Sequence, residues 1–188
     1  MLETKTVSEI INHLNSKDLS IKEVIEYYLN NIEKLNPKIN SIISIKNKNE
    51  IFDEAQKKNN TKFCGLPIAI KDLSDVVGFP TTYGYPGTKN YNPRKNSLFV
   101  DKLLEAGITI IGKTNTAELG VGGQTINRLF GPTSNVYDVT KCAAGSSGGA
   151  STAVASGMLP FADGTDQMGS CRAPAAFANI YGFRPTTG

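Results

Sequence analysis

Imidazole, thiol and metal chemistry have little material in this sequence. It contains a single histidine, His13, and three cysteines, Cys64, Cys142 and Cys171, widely spaced and in no Cys-x-x-Cys or Cys/His arrangement. Neither a zinc site nor a disulfide framework fits that pattern, and an odd, scattered set of thiols suits a reducing compartment. No uninterrupted apolar run approaches the roughly 20 residues of a membrane span, and residues 1–6 have no apolar core of the kind a signal peptide carries. A cytoplasmic protein with no membrane contact is therefore expected. Charge of one sign is not concentrated either. The net charge is +3, but lysines alternate with acidic residues and no Lys/Arg block interleaves with aromatics. A nucleic-acid partner is accordingly not expected.

An apolar fraction of 39% against 20% charged residues suffices for a packed core. Thr6 and Glu9 form a capping-box pattern, and Val7, Ile10, Ile11 and Leu14 recur at helical spacing, predicting a helix over 6–15. His13 falls on its polar side, facing water. Ser20 and Glu23 repeat the box ahead of a stripe of Ile21, Val24, Ile25, Tyr28, Ile32 and Leu35, expected to stop near Asn36-Pro37. A short strand is predicted over 41–45 and an exposed helix over 50–58. Near residue 60 the composition turns from Lys, Asn and Ile to Gly, Ala, Ser and Thr. The expected organisation is an N-terminal helical segment, 1–60, packed on a catalytic body, 61–188, with no linker between them. In the body, strands at 66–71 and 108–112 flank a helix at 97–106. A turn at 113–116 leads to another short helix, and 120–132 is glycine-rich and irregular. Small-residue helices follow at 150–158 and 173–177, with strands at 159–162 and 180–184. Strand, helix, strand in this rhythm argues for an α/β fold with a largely buried sheet.

A Ser-His-Asp triad has no imidazole to use, so a serine nucleophile here needs another base. Lysine can serve when burial penalises its ammonium form. Lys71 ends the apolar run Ile68-Ala69-Ile70, where it is either a half-buried base or a strand-end lysine reaching solvent. Gly145-Ser146-Ser147-Gly148-Gly149 admits three readings: phosphate binding at a helix start, a plain tight turn, or a turn that presents Ser146 as a relay. It has neither the GxGxxG pattern nor a P-loop Lys-Ser/Thr, and no cofactor is expected. Ser170 follows Gly169 just before a predicted helix start, where free N–H groups can stabilise an oxyanion.

Taken together, these stretches resemble the amidase signature family. They are Gly65-Leu66-Pro67-Ile68-Ala69-Ile70-Lys71-Asp72, Gly112-Lys113-Thr114-Asn115 with Glu118, and Gly131-Pro132-Thr133-Ser134-Asn135. The turn Gly145-Ser146-Ser147-Gly148-Gly149 follows, then Gly164-Thr165-Asp166 through Gly169-Ser170-Cys171-Arg172, and finally Gly182-Phe183-Arg184-Pro185-Thr186. The resemblance runs from about residue 6 to the end. It implies an α/β fold with a mixed sheet flanked by helices and an N-terminal helical hairpin. It also implies hydrolysis of a carboxamide C–N bond in a small-molecule amide. Ser170 matches the nucleophile, Lys71 the general base, and Ser146 the relay serine that follows a cis peptide bond. The backbone N–H groups of Gln167, Met168, Gly169 and Ser170 match the oxyanion hole, and Asp166 and Arg172 match positions that brace the loop.

Three departures stand out. Met168 replaces the first glycine of a common Gly-Gly-Ser, Ala144 replaces the first glycine of a common Gly-Gly-Ser-Ser-Gly-Gly, and Cys171 stands where an apolar branched residue is usual. Family members are also much longer, and their C-terminal half completes the sheet and the pocket. The chain is thus expected to be a fragment of a longer product, unstable or inactive alone. Within the family, Lys71-Asp72-Leu73-Ser74-Asp75 and Met168 look more like stand-alone amidases than like the glutaminase component of a tRNA-dependent amidotransferase. That component remains the rival reading, and a non-catalytic remnant is the rival from outside enzymology. A homo-oligomer is left open.

Overall fold

The computed structural model describes residues 2 and 4–186. Helix α1 (Val7–Asn15) is capped by Thr6, whose hydroxyl accepts from Glu9 N–H while the Glu9 carboxylate accepts from Thr6 N–H at 2.7 Å. Helix α2 (Ile21–Ile39) repeats the arrangement with Ser20 and Glu23. It runs past the expected stop: Pro37 lies inside it, and Asn40, in the left-handed region at φ 58°, ends it. A proline this near the C-terminus removes only one intrahelical bond. The side chain of Asn36 then takes over, accepting from Ser41 and Ile42 N–H at 2.9 and 2.8 Å and donating to Ile42 O at 2.7 Å. Strand β1 (Ile42–Ile45) follows, then α3 (Lys48–Gln56), begun by Asn47, whose side-chain Oδ1 accepts from Asn49 N–H. Sequence predicts an exposed helix here, but Ile51 and Ala55 are fully buried, so α3 is amphipathic.

Strand β2 (Pro67–Lys71), helix α4 (Leu98–Glu105) and strand β3 (Thr109–Thr114) form a β-α-β unit, with β2 parallel to β3. β1 lies antiparallel on the other side of β3, giving a mixed sheet in the order β1-β3-β2. β3 extends two residues beyond its predicted end, and a 3-10 turn at Glu118–Gly120 stands where a short helix was expected. β1 lies inside the segment assigned to 1–60 by composition, yet it pairs with the body, and one hydrophobic cluster joins Ile10, Ile25 and Ile32 to Ile68, Ile110 and Met158. Helix α5 (Gly148–Ala155) packs on all three strands, and α6 (Arg172–Phe177) packs on α5.

The strands predicted at 159–162 and 180–184 do not form. Leu159 is buried and Phe161 and Ala162 pack against the core, but Pro160 has no N–H for a ladder. Tyr181 and Phe183 point into solvent, and Arg184 reaches across to Asp166 O at 3.0 Å. Among the described residues no helix is long and apolar enough to cross a membrane.

What places the loop before α5 is closeness. A Cβ on Gly149 would lie 2.5 Å from both N and O of Asn115 and 2.7 Å from Ser41 O. These are backbone atoms at the ends of β3 and α2, so they cannot simply rotate away. Beside them Ser41 Oγ and Thr152 Oγ1 share a buried hydrogen bond of 2.6 Å. Gly149→Ala is expected to cost about 1–3 kcal/mol through overpacking, read as a lower denaturation midpoint in urea. An unchanged midpoint would show that α5 can lift off the sheet.

Candidate active site

Lys71 ends β2 with its side chain fully buried. Its Nζ lies 2.8 Å from Ser146 Oγ, 2.7 Å from Ser147 Oγ and 2.7 Å from Thr165 Oγ1. An ammonium has three N–H bonds, and three neutral hydroxyls accept them here. Lys71 is therefore not a strand-end lysine reaching solvent. Burial lowers its pKa from 10.5 to about 8, a fall that nearby Asp163, Cys171 and Asp166 partly offset.

Ser146 and Ser147 belong to the turn ahead of α5, where the Gly145–Ser146 peptide is cis and Ala144 has φ 57°. Thr125 ties this turn together. Its Oγ1 donates to Ala144 O at 2.9 Å and accepts from Gly148 N–H at 2.7 Å, and its own N–H donates to Ala144 O at 3.0 Å. Ala117 N–H holds Ser146 O at 3.1 Å.

Ser170 lies beside this cluster but outside its side-chain bonds. Ser147 N–H donates to Ser170 O at 3.0 Å, whereas no hydrogen bond joins the Ser170 hydroxyl to Lys71 or Ser146. Ser170 lines a cleft of about 380 Å³ with Val121, Gln167 and Met168, and among the described residues no charged side chain lines it. Of the four N–H groups expected to face an oxyanion, that of Gly169 is already engaged, donating to Asp166 Oδ1 at 2.7 Å. Those of Gln167, Met168 and Ser170 donate to no other group among the described residues. The positive φ in this loop falls on Gly169, at 110°, and not on Met168, whose side chain is 94% exposed. The Met168 substitution therefore puts no side chain on a left-handed backbone.

Asp166 holds the loop. It accepts from Cys171 and Arg172 N–H at 3.2 and 3.1 Å, and the Arg172 guanidinium binds it through Nε at 2.9 Å and a terminal nitrogen at 3.0 Å. That guanidinium, with the N–H groups, keeps the carboxyl well below the usual carboxylate range. Cys171 has its pKa raised, chiefly by burial, which makes its thiol a poor nucleophile. His13 lies at the end of α1 against Lys5 Nζ and Asp18, at 2.9 and 3.3 Å.

Sequence reasoning did not assign Ser147, Thr165 or Asp163. The first two were within quoted motifs, but nothing in a lone hydroxyl's spacing says that it faces a lysine. Asp163 Oδ1 accepts the main-chain N–H of Lys71 at 2.8 Å. On the other face of β2, Asp72 and Lys113 form a pair at 3.3 Å, each side chain 1% exposed. Lys113 also donates to Ser74 O at 2.7 Å and Thr81 Oγ1 at 3.1 Å, while Thr82 donates to Asp72. Burial pushes Lys113 down and Asp72 up, and their mutual attraction opposes both shifts.

The family model for Amidase matches residues 23–188, and the chain belongs to that family. It is 42% identical over 176 residues to a Glutamyl-tRNA(Gln) amidotransferase subunit of Methanosarcina barkeri, covering 92% of this chain and 36% of the relative. It is 38% identical over 190 residues to an acylamidase of Rhodococcus erythropolis, covering 97% and 40% of the two chains. Among solved structures, a bacterial aryl acylamidase of the amidase signature family superposes with a TM-score of 0.89 at 33% identity, covering 96% of this chain and 39% of that one. The chain thus has the amidase signature fold and spans well under half the length of these relatives.

Lys71 also leaves a mark on stability. Below about pH 8 it is charged in both folded and unfolded chains, and the fall from 10.5 to about 8 corresponds to a folding penalty of about 3 kcal/mol. Between pH 8 and 10.5 the folded chain has released a proton that the unfolded chain keeps, so the penalty fades as pH rises. Lys71→Met is expected to lack this rise. Urea denaturation of both proteins at pH 7 and pH 10 checks it; equal pH dependence would place the penalty elsewhere.

Proposed function

We propose that the chain carries the nucleophile and base of an amide hydrolase. In this reading neutral Lys71 takes a proton from Ser146 as Ser146 takes one from Ser170, and Ser170 Oγ attacks the amide carbonyl. The N–H groups of Gln167, Met168 and Ser170 receive the developing oxyanion, and Asp166 holds Gly169 N–H to keep that loop open toward the cleft. Proton return through Ser146 expels the amine. Water then cleaves the acyl-enzyme by the same route. The observation that carries the reading is a fully buried lysine whose Nζ touches only hydroxyls, one of them Ser146.

A second reading, release of ammonia from glutamine for a partner protein, draws support from the 42% identity to an amidotransferase component. A fluorophosphonate probe tests the core of the proposal. It is expected to label the full-length protein at Ser170, with labelling lost in Ser170→Ala and slowed about 100-fold or more in Lys71→Ala and Ser146→Ala. Labelling that persists in Ser170→Ala, or runs at the parental rate in Lys71→Ala, contradicts it. Ammonia release from glutamine that appears only with a copurifying partner would favour the second reading.

A further inference from the structure

Among the described residues β2 has a strand partner, β3, on one side only, and Lys71 is its last residue. Asp72 N–H turns inward to Thr114 O at 3.1 Å, so the N–H of Lys71 turns outward, by the alternation of a strand. A further strand would ordinarily accept it through a main-chain carbonyl. Here the acceptor is the Asp163 carboxylate, at 2.8 Å. A carboxylate is a costly choice for this place, because burial pushes its pKa up to about 6. Any amide or peptide oxygen could satisfy the N–H without that cost. What the carboxylate adds is charge.

Lys71 needs charge nearby, since its three Nζ partners are neutral. The turn before α5 presents Ser146 and Ser147 to it. The 163–171 segment presents Thr165, Asp163, Asp166 and Cys171. Among those groups Asp163 exerts the largest opposing charge effect, while Asp166 is engaged by Arg172. On the opposite face Asp72 and Lys113 neutralise each other. We propose that Asp163 is a positioning residue for Lys71, clamping the end of β2 through the main chain and acting as counter-charge to the ammonium. The inference rests on Lys71 being the base, but its test does not depend on turnover.

The test is the titration of Lys71 followed by the 13Cε chemical shift, assigned by comparison with Lys71→Met, in the parent, Asp163→Asn and Asp163→Glu. The parent is expected to titrate near pH 8. Asn keeps an oxygen for the N–H but loses the charge, so the midpoint should fall by about 0.5–1 pH unit. Glu keeps the charge, so its midpoint should stay near that of the parent even if the longer side chain loosens the clamp. An Asn variant that titrates with the parent, or a Glu variant that moves as far as Asn, overturns the proposal. Should Asp163→Asn not fold, Asp163→Ser removes the same charge; its midpoint should fall as far, and a Ser variant that titrates with the parent overturns the proposal. Fluorophosphonate labelling of the same proteins separates this outcome from the base assignment. A shifted titration with labelling indifferent to Lys71→Ala would retain Asp163 as the counter-charge and remove Lys71 as the base.

Discussion

Everything at this site depends on keeping one amine out of water without giving it an ion-pair partner at its tip. A lysine that met a carboxylate directly would stay protonated and be useless as a base. A lysine buried with no polar contact would be too costly to fold around. Three hydroxyls are the compromise. They satisfy the ammonium's donors while adding no charge, and after deprotonation one of them can turn and donate to the free lone pair. Charge compensation comes from farther off, through Asp163 and Asp166, which offset only part of the burial effect.

The scaffold delivers those hydroxyls from three places. β2 supplies Lys71, the turn before α5 supplies Ser146 and Ser147, and the loop ahead of α6 supplies Thr165 and, two to five residues on, the N–H groups around Ser170. Each piece has its own fastening: Asp163 on the strand end, Thr125 on the turn, Asp166 and Arg172 on the loop. Ser147 links two of these pieces, its N–H donating to Ser170 O and its hydroxyl accepting from Lys71 Nζ.

Much of this was legible in the sequence, and the reasons are local. Capping boxes at Thr6/Glu9 and Ser20/Glu23 mark helix starts because the bonds lie within four residues of each other. β2 and β3 read clearly because they are buried runs bounded by breakers. The misses are tertiary. Pro37 has the look of a stop, but the Asn36 side chain completes the turn beyond it. The stretches 159–162 and 180–184 have strand-like composition, but strands need a partner, and composition does not supply one. Residues 71, 146 and 170 could be placed in the site because they stand in motifs. Asp163 could not, since its role lies in which N–H its carboxylate meets. That Asp166 already holds Gly169 N–H is unreadable for the same want of geometry.

The close approach at Gly149 reaches further than packing. Ser41, just past α2, meets the helix that follows the Ser146 turn, through its carbonyl against Gly149 and its hydroxyl against Thr152. The N-terminal hairpin, which brings no reactive group, is thereby part of what fixes Ser146 in place. Substitutions at the end of α2 and at the start of α5 should then not be independent of one another. Their combined effect on the site will differ from the sum of the separate ones. Epistasis between two regions more than a hundred residues apart in sequence follows from a glycine with no room for a methyl group.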